Sequence, residues 1–341
     1  MRNYLVTSIM TKTDSIHQVF STLPASEIKQ VIERSRRVLV ASHVDPDGDA
    51  LGTQLAFAEY LKFMNKEVVL VREAEIPSKY HFLPDVETII HIDSLPANIN
   101  IDTAVIIDCP NVERIGQASS LIRDSVNVIS IDHHRDSGDF GMINWNVPES
   151  SSAGEMIYEY FLAVGFEINK SVATQLYTAI LTDTGRFRYQ STLPRTMQIA
   201  GELIKAGAEP KIVYDNVYYN LSITTMKLTA RVLNTIEFHQ KGTICLLTLT
   251  RSMLNDTGAD MTESDGLVDF TLHTKGVVVG ALLKEQDSSH TRVSLRSRDG
   301  INVANIAARF GGGGHFNASG CTIPTDLATA RKELLRLLGE V

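Results

Sequence analysis

The chain has 341 residues, which is more than one typical domain and favours two. Its composition, 43% hydrophobic and 21% charged, is ordinary for a soluble globular protein, and it contains no apolar run of the ~18 residues that a transmembrane helix needs. The formal net charge of −8 argues against a long duplex nucleic acid gripped along many phosphates, and it favours a small anionic substrate held by a few cations.

The N-terminal stretch and the cysteines indicate the cellular compartment. The N-terminal stretch MRNYLVTSIMTKTDSIHQVF has no sustained apolar core and no small-residue cleavage site, so it does not resemble a signal peptide. Cys109, Cys245 and Cys321 are odd in number, are widely spaced and form no C-x-x-C pair. They support neither a disulfide framework nor a zinc ribbon. We therefore expect a cytoplasmic protein without a membrane partner.

Residues 36–134 alternate short strands rich in Val and Ile with helical segments. A strand at RVLVASH leads into a helix at ALGTQLAFAEYLKFMN, and further strands are predicted at EVVLVRE, ETIIHID, DTAVIIDC and VNVISIDHH. This alternation predicts a largely parallel sheet covered by helices on both faces. Ligands in such sheets bind beyond the carboxyl ends of the strands, so we expect the site there.

The remainder of the chain is predicted to be helical over residues 152–240 and mixed after about Gly242, with strands at GTICLLTLT, GVVVGALLKEQ and TRVSLRSR. The predicted fold is α/β with two domains, a parallel-sheet N-terminal domain and a smaller C-terminal α/β domain. The predicted boundaries are an N-terminal arm at 1–24, the first domain at 25–200, a helical connector at 201–235 and the second domain at 236–341.

The first candidate site is SHVDPDGDALG, in which His43, Asp47 and Asp49 follow a predicted buried strand. Imidazole and carboxylate together suit Mn²⁺ and similar divalent ions, and a cation stabilises carboxylates that would otherwise repel one another. The alternative is helix capping, because an Asp at the start of a helix interacts favourably with the helix dipole. Capping explains one Asp well, but it explains three with a histidine poorly.

Two further candidates follow predicted strands. Asp108 ends the apolar run AVIID, and His133 and His134 end ISIDHH. Adjacent side chains on an extended backbone point in different directions, so one histidine can bind a metal while the other faces a substrate. The alternatives are a strand-end turn at Asp108 and two incidental histidines in a surface loop.

Asp183, in LYTAILTDTG, ends a predicted apolar helix, and either Thr182 or Thr184 is expected to orient its carboxylate. Taken alone, the position of Asp183 is explained at least as well by a polar helix terminus as by a functional site. Four motifs occur in a fixed order, each after an apolar element. They are H-x-x-x-D-x-D from His43, the single Asp108, D-H-H from Asp132 and T-D-T from Thr182. This series resembles the DHH phosphoesterase superfamily, and the stretch GGGGHFNASG resembles the glycine-rich signature of the DHH-associated C-terminal domain.

The resemblance implies a two-metal site, with Mn²⁺ as the usual ion and Mg²⁺ or Co²⁺ as alternatives. The implied ligands are His43, Asp47, Asp49, Asp108, His133 and Asp183. Asp108 would be the bridging, catalytic carboxylate, and His134 would be catalytic and face the substrate phosphate. Asp45 matches no ligand position, so we expect it to cap the helix or to lie behind the ligands.

The second domain would hold the rest of the substrate. In TRVSLRSRDG, strand periodicity places the arginines and Ser294 on one face, where Arg suits bidentate binding of phosphate; the alternative is an exposed polar face. The glycine run would present N–H groups to an anion, or form a flexible loop. The resemblance implies these substrate contacts: Arg114, His134, Ser294, Arg296, Gly313, Gly314 and His315.

Within the superfamily, the chain is similar to the short two-domain enzymes that degrade very short RNA (nanoRNA) to mononucleotides and dephosphorylate adenosine 3′,5′-bisphosphate (pAp). The alternatives are a phosphodiesterase for cyclic dinucleotides or for linear pApA and pGpG, a manganese pyrophosphatase, and a nucleotide-binding module without catalysis. The expected partners are short RNA, pAp or dinucleotides, with no long duplex, and family habit implies a homodimer. Trp145 is expected to pack in the core rather than to stack on a base.

Overall fold

The computed structural model describes residues 24–96, 98–298 and 300–339, without the side chain of His315. The predicted N-terminal arm therefore lies outside the described residues except for its last position, and so does the predicted contact made by the His315 side chain. The chain divides into two compact units, the first ending at Asn220 and the second beginning at Leu221. This division falls inside the stretch predicted as a helical connector.

A six-stranded parallel sheet forms the centre of the first unit, with strand order β3-β2-β1-β4-β5-β6. Its strands are β1 (Arg37–Ala41), β2 (Glu67–Arg72), β3 (Ile90–His91), β4 (Thr103–Ile107), β5 (Asn127–Asp132) and β6 (Ile143–Asn146). The predicted parallel sheet is confirmed. Sequence reasoning did not anticipate β6, because INWN contains no apolar run and only one of its residues, Trp145, is buried.

Among the described residues the first unit has six α-helices: α1 (Ala25–Arg34), α2 (Gly48–Phe63), α3 (Ala153–Val164), α4 (Lys170–Asp183), α5 (Pro194–Lys205) and α6 (Pro210–Tyr218). All six contribute to the core on one face of the sheet, and the other face packs against the 3₁₀ segment Val112–Leu121, so the α-helices cover one face and not the predicted two. Ser152 caps the start of α3 by accepting a hydrogen bond from the Glu155 amide, and Gly165, with a left-handed φ of 71°, caps its end. Trp145 is only 4% exposed and packs in the core, so the prediction of core packing is confirmed.

Helices α2 and α4 approach each other closely at Gly52. A Cβ added there would lie 2.4 Å from the carbonyl oxygen of Gln175 and 3.1 Å from Cβ of Ala179. The closest atom is backbone, which cannot rotate away. We therefore expect Gly52→Ala to lower the free energy of unfolding of the first unit by about 3 kcal/mol. Urea unfolding followed by the fluorescence of Trp145, the single tryptophan, measures this unit selectively.

The matched control is Gly201→Ala. Gly201 lies on the exposed face of helix α5, and an added Cβ there meets nothing within 4 Å. Because Ala favours a helix over Gly, this change should leave stability unchanged or raise it by up to ~1 kcal/mol. If Gly52→Ala had the same free energy of unfolding as the wild type, α2 and α4 would be able to move apart without loss of stability.

The second unit contains a mixed sheet with strand order β11-β12-β10-β9-β8-β7. Its strands are β7 (Glu237–His239), β8 (Ile244–Leu249), β9 (Val279–Glu285), β10 (Thr291–Ser297), β11 (Gly313–His315) and β12 (Ala318–Ile323). The β8–β9 pair is parallel and the other pairs are antiparallel. Its helices are α7 (Ile223–Leu233), α8 (Arg251–Thr257), α9 (Val303–Ala308) and α10 (Leu327–Leu338), and a 3₁₀ segment runs over Leu267–His273. The predicted α/β character of this part of the chain is confirmed.

The three cysteines are free and buried, as expected for a chain without a disulfide framework. Within the described ranges, no helix combines the length and the apolar character needed to cross a bilayer.

Candidate metal centre

The order of the strands in the first sheet brings three candidate residues to one edge. Strands β1, β4 and β5 are neighbours and run parallel, so their carboxyl ends lie side by side. His43 follows β1, Asp108 follows β4 and His133 follows β5. Asp49, in the first turn of α2, and Asp183, the last residue of α4, reach the same edge from the helices. Residues far apart in sequence thus meet where an α/β sheet binds its ligands.

Three overlapping groups of side chains at this edge have the composition of metal sites. In each group the potential ligand atoms lie within 4.8 Å of one another. The groups are His43, Asp47 and Asp108; Asp49, His133 and Asp183; and Asp108, His133 and His134. Asp108 and His133 each belong to two groups. Two adjacent positions for cations that share a ligand would produce this overlap.

The carboxylate of Asp108 lies between two histidines. Its Oδ2 is 3.5 Å from Nε2 of His43, and its Oδ1 is 3.5 Å from Nε2 of His133. Each oxygen therefore faces a different imidazole. On the far side, Nε2 of His133 is 3.5 Å from Oδ2 of Asp183 and 3.7 Å from Oδ2 of Asp49.

These separations fit shared cations better than hydrogen bonds. Hydrogen bonds of this kind are about 2.7–3.2 Å long. Two ligands that are each about 2.1 Å from one cation lie roughly 3.0–3.5 Å apart, depending on the coordination angle. In addition, Nδ1 of His43 is buried and has no hydrogen-bond partner among the described residues. Carboxylate and imidazole donors at this spacing suit a first-row divalent ion.

The electrostatics of the group are those of a cation site. Burial opposes ionisation of Asp108, but the imidazoles of His133 and His43 outweigh it and hold the pKa of Asp108 well below its usual range. Burial, with the nearby charges of Asp108 and Asp183, raises the pKa of Asp49 well above its usual value. Burial also raises the pKa of Asp183 to about 7. Burial alone would lower the pKa of His133, but the surrounding carboxylates raise it to about 10. Protons thus compensate the crowded carboxylates, and a bound cation would replace them.

Asp49 is positioned by the start of helix α3, a contact that sequence reasoning missed. Its side chain is 1% exposed, and its carboxylate accepts hydrogen bonds from the Ala153 amide at 2.7 Å and the Gly154 amide at 2.9 Å. The amides at a helix N-terminus favour a negative charge. The amides of Ala153 and Gly154 lie over a hundred residues after Asp49 in the sequence. They become its hydrogen-bond donors only because α2 packs against α3.

A buried polar network holds that helix start in place. Glu155 is fully buried, and its carboxylate accepts hydrogen bonds from the hydroxyls of Ser151 and Thr196, the latter at 2.9 Å. Nε of Arg195 lies 3.0 Å from the other carboxylate oxygen of Glu155, and the same guanidinium pairs with Glu159. Because a buried charge must be compensated, this network fixes α5 against the N-terminus that holds Asp49.

His134 is oriented by Asp132, a residue of the same motif to which we had assigned no function. Nδ1 of His134 lies 2.8 Å from Oδ1 of Asp132, which is 1% exposed, and the other oxygen of Asp132 accepts a hydrogen bond from the Ser137 hydroxyl. Burial alone would lower the pKa of His134, but Asp132 raises it. This contact was predictable from the i, i+2 spacing of Asp132 and His134 in D-H-H, because alternate residues of an extended segment share a face.

Asp108 has a left-handed backbone, with φ of 56°, while its amide continues the sheet by donating to the Ile131 carbonyl at 3.0 Å. This conformation costs most residues about 1–2 kcal/mol, and Asp and Asn tolerate it best. Backbone strain of this kind often marks functional sites.

Asp45 and Asp47, in the acidic turn before α2, have different surroundings. Asp47 caps α2 by accepting from the amides of Asp49 at 2.9 Å and Ala50 at 3.1 Å, so the capping interpretation holds for Asp47 in addition to its place among the potential ligands. Asp45 is exposed and belongs to none of the ligand groups found within the described residues.

One expectation about this site is wrong. The hydroxyl of Thr182 donates to the carbonyls of Thr178 and Ala179, and that of Thr184 donates to the carbonyls of Ile180 and Leu181. Neither hydroxyl orients Asp183, because threonine inside or just after a helix bonds to the preceding turn.

Arg114, a predicted substrate contact, is exposed beside this site. Its carbonyl accepts a hydrogen bond from the Val44 amide at 2.9 Å, which ties it to the loop that carries His43. Its guanidinium is close enough to His43 to oppose protonation of that imidazole.

In the second unit, Ser294 and Arg296 lie on the accessible side of β10, as the alternation predicts. Nε of Arg296 is 2.9 Å from Oδ1 of Asp269. Sequence reasoning missed Lys284, which lies opposite Arg292 in the sheet and is 4% exposed. Burial lowers the pKa of Lys284, Asp265 opposes this from 3.4 Å, and the neighbouring arginines lower the pKa further. Lys284 and Arg296 thus bring two cations, each paired with one carboxylate, to this sheet.

The second half of the glycine run belongs to a strand pair. Gly313 pairs with Gly320 and Gly314 with Ser319, and Gly314 has a positive φ of 136°. A Cβ on Gly314 would lie 2.6 Å from the Ala318 carbonyl oxygen. The close approach that requires glycine at position 314 is therefore to the neighbouring strand.

Comparison with known families gives two matches. The model of the DHH family, N-terminal domain, matches residues 37–180, and the model of the DHHA1 domain matches residues 242–341. Among curated relatives, the bifunctional oligoribonuclease and PAP phosphatase NrnA of Thermus thermophilus is 32% identical over 89% of this chain and 89% of its own. The protein of the same name from Bacillus subtilis is 27% identical over 87% of this chain and 93% of its own.

Two further proteins extend the comparison. The cyclic-di-AMP phosphodiesterase PdeA of Listeria monocytogenes is 26% identical over 90% of this chain, which spans 48% of that protein. The crystal structure of an exopolyphosphatase-related protein from Bacteroides fragilis has a TM-score of 0.88 and 28% identity, covering 93% of this chain and 95% of that one.

Proposed function

The chain belongs to the DHH family of metal-dependent phosphate-ester hydrolases, and from this premise we propose that it hydrolyses short oligoribonucleotides to mononucleotides and removes a phosphate from pAp. The observation that carries the proposal is the position of Asp108, whose two oxygens each face a different histidine. The names of the relatives from Thermus and Bacillus supply the substrate class.

The proposed metal ligands divide between two neighbouring positions. His43, Asp47 and Asp108 form one position, and Asp49, His133 and Asp183 form the other, with Asp108 between them. When bound, two divalent cations supply positive charge for the attacking water and for the leaving oxygen of an in-line displacement. Mn²⁺ is the proposed ion, with Mg²⁺ and Co²⁺ as alternatives, because the donors are carboxylates and imidazoles without thiolate.

His134 is proposed to act on the substrate phosphate. Asp132 holds its ring through Nδ1 and favours the charged imidazolium. A protonated imidazole at this edge of the sheet stabilises negative charge that develops on the phosphoryl oxygens, and it can donate its proton to the leaving oxygen.

The second unit is proposed to bind a phosphate of the substrate through β10. Ser294, Arg296 and Lys284 provide a hydroxyl and two cations on one sheet. The backbone of the glycine strand, at Gly313 and Gly314, is proposed to complete this contact. Arg114 is proposed to contact the substrate at the candidate metal centre of the first unit.

Arg296→Lys tests this binding surface. Lysine keeps the charge but loses the planar fork that binds phosphate through two hydrogen bonds. We expect KM for pAp to rise about tenfold, since one charged hydrogen bond contributes ~1.5 kcal/mol, with kcat within about twofold. Steady-state kinetics measures both constants. The control is Arg231→Lys in the same unit, an exposed partner of Asp256 whose replacement should change neither. An unchanged KM in Arg296→Lys would remove this residue from the site.

A substrate panel tests the function itself. With Mn²⁺, the purified protein should hydrolyse both an RNA dinucleotide such as ApA and pAp, and should leave pyrophosphate largely intact. If ApA and pAp both remained intact, the proposal would be wrong.

A second candidate function is the hydrolysis of cyclic dinucleotides or of linear pApA and pGpG. The similarity to the cyclic-di-AMP phosphodiesterase, over 90% of this chain, supports it. Adding cyclic di-AMP and pApA to the panel decides between the two. A kcat/KM for cyclic di-AMP above that for ApA would favour the second candidate.

A further inference from the structure

A cluster of tyrosines around an arginine lies next to the metal centre and is not used by the chemistry proposed above. This tyrosine cluster consists of Arg186, Tyr189, Tyr214, Tyr218 and Tyr219. It is formed by the loop that follows α4 and by the end of α6, both in the first unit.

Four members of the cluster are joined by ring contacts, and Tyr189 lies near them on the loop that carries Arg186. The guanidinium of Arg186 lies 4.8 Å from the ring centre of Tyr218. The ring centres of Tyr214 and Tyr218 are 5.1 Å apart, and those of Tyr214 and Tyr219 are 5.0 Å apart. Tyr214 raises the pKa of the Arg186 guanidinium. An arginine beside tyrosines in this way is held by cation–π attraction.

A strained turn places Arg186 beside the candidate ligand Asp183. Three consecutive residues, Gly185, Arg186 and Phe187, have positive φ angles of 55°, 68° and 62°. For Arg186 and Phe187, which have side chains, this backbone conformation is unfavourable. The turn is closed by the Arg186 amide, which donates to the Leu181 carbonyl at 2.8 Å. The chain thus reverses within three residues of Asp183.

The other side of the cluster is also near the centre. Helix α6, which carries Tyr214 and Tyr218, packs against α4, whose last residue is Asp183, and against the 3₁₀ turn Ser78–Tyr80. The cluster therefore adjoins the element that ends in the candidate ligand Asp183.

Two of its rings are presented to solvent. Tyr219 is 74% exposed and Tyr189 is 51% exposed. The Tyr189 ring also covers Gly185, where an added Cβ would lie 2.4 Å from it. Large aromatic rings that are exposed beside a phosphate-hydrolysing site provide flat apolar surfaces on which a nucleobase stacks.

We propose that the tyrosine cluster is a base-stacking subsite, in which the rings of Tyr189 and Tyr219 bind the nucleobase attached to the phosphate under attack. This inference rests on the proposed function, since it names the part of a nucleotide that this surface binds. Because every base has a π-face, such a subsite accepts any of the four bases. It distinguishes nucleotide phosphates from phosphates that lack a base.

The test compares a ligand with a base and the same ligand without one. Calorimetric titration of the Mn²⁺-loaded protein with AMP and with ribose 5-phosphate measures the contribution of the base. We expect the wild type to bind AMP about tenfold more tightly, the equivalent of ~1.4 kcal/mol. The double variant Tyr189→Leu/Tyr219→Leu should bind AMP as weakly as ribose 5-phosphate, with its affinity for ribose 5-phosphate unchanged.

The variant Tyr189→Phe/Tyr219→Phe keeps both rings and should keep the tenfold preference. Equal affinity of the wild type for the two ligands would overturn the proposal. So would a Leu variant that retains the preference, or one that loses affinity for both ligands equally, since the latter would show a structural role. The measurement requires no turnover, so a failure to hydrolyse ApA and pAp would contradict the proposed function without deciding this test.

Discussion

Asp108→Asn is expected to lower kcat for ApA and pAp by more than about 100-fold. Residues that only support metal ligands typically contribute 10- to 100-fold, and Asp108 lies between the two proposed metal positions. Its carboxylate holds a full negative charge, because the imidazoles of His133 and His43 keep its pKa low in spite of burial. An amide in its place removes that charge and one of two equivalent oxygen ligands.

Asn is the informative replacement because it preserves the backbone. The left-handed φ of 56° at position 108 is tolerated by Asp and Asn, whereas Ala would add strain to the loss of charge. Trp145 fluorescence should show a folded first unit, and equilibrium dialysis should show fewer Mn²⁺ ions bound per chain. Undiminished hydrolysis by this variant would show that the activity of the preparation comes from another site or another protein.

Asp47→Asn is expected to lower kcat by more than about 100-fold, while Asp45→Asn changes it by less than about twofold. The two residues look alike in the motif, but only Asp47 belongs to a ligand group among the described residues. Asp47 also caps α2 through Oδ1. Asn caps a helix as well as Asp does, so the substitution removes the charge and leaves the cap.

Thermal unfolding of Asp45→Asn and Asp47→Asn should therefore be measured together with their kinetics. Both variants should unfold within a few degrees of the wild type, since neither loses a cap or a buried contact. Equal losses of kcat at positions 45 and 47 would show that this turn is assigned wrongly. A large loss of stability in Asp47→Asn would point to a structural role for its charge.

Much of the fold was predictable because its signals are local. Each strand of the first sheet that carries a candidate ligand is an apolar run followed by a polar residue, and this pattern needs no knowledge of distant parts of the chain. Strand β6 and the β11–β12 pair were not anticipated. The first is stabilised by one buried Trp, and the second by glycines that fit against the neighbouring strand.

The sequence by itself determined the fold class, the family and the candidate ligands, because residue type, spacing and apolar periodicity are properties of short segments. Tertiary structure alone decided how those ligands are held. The amides of α3 that hold Asp49, the buried Lys284 and the tyrosine cluster beside Asp183 all depend on which groups become neighbours on folding. Such contacts are selected by the packing of whole elements, and the pattern of any one segment contains no record of them.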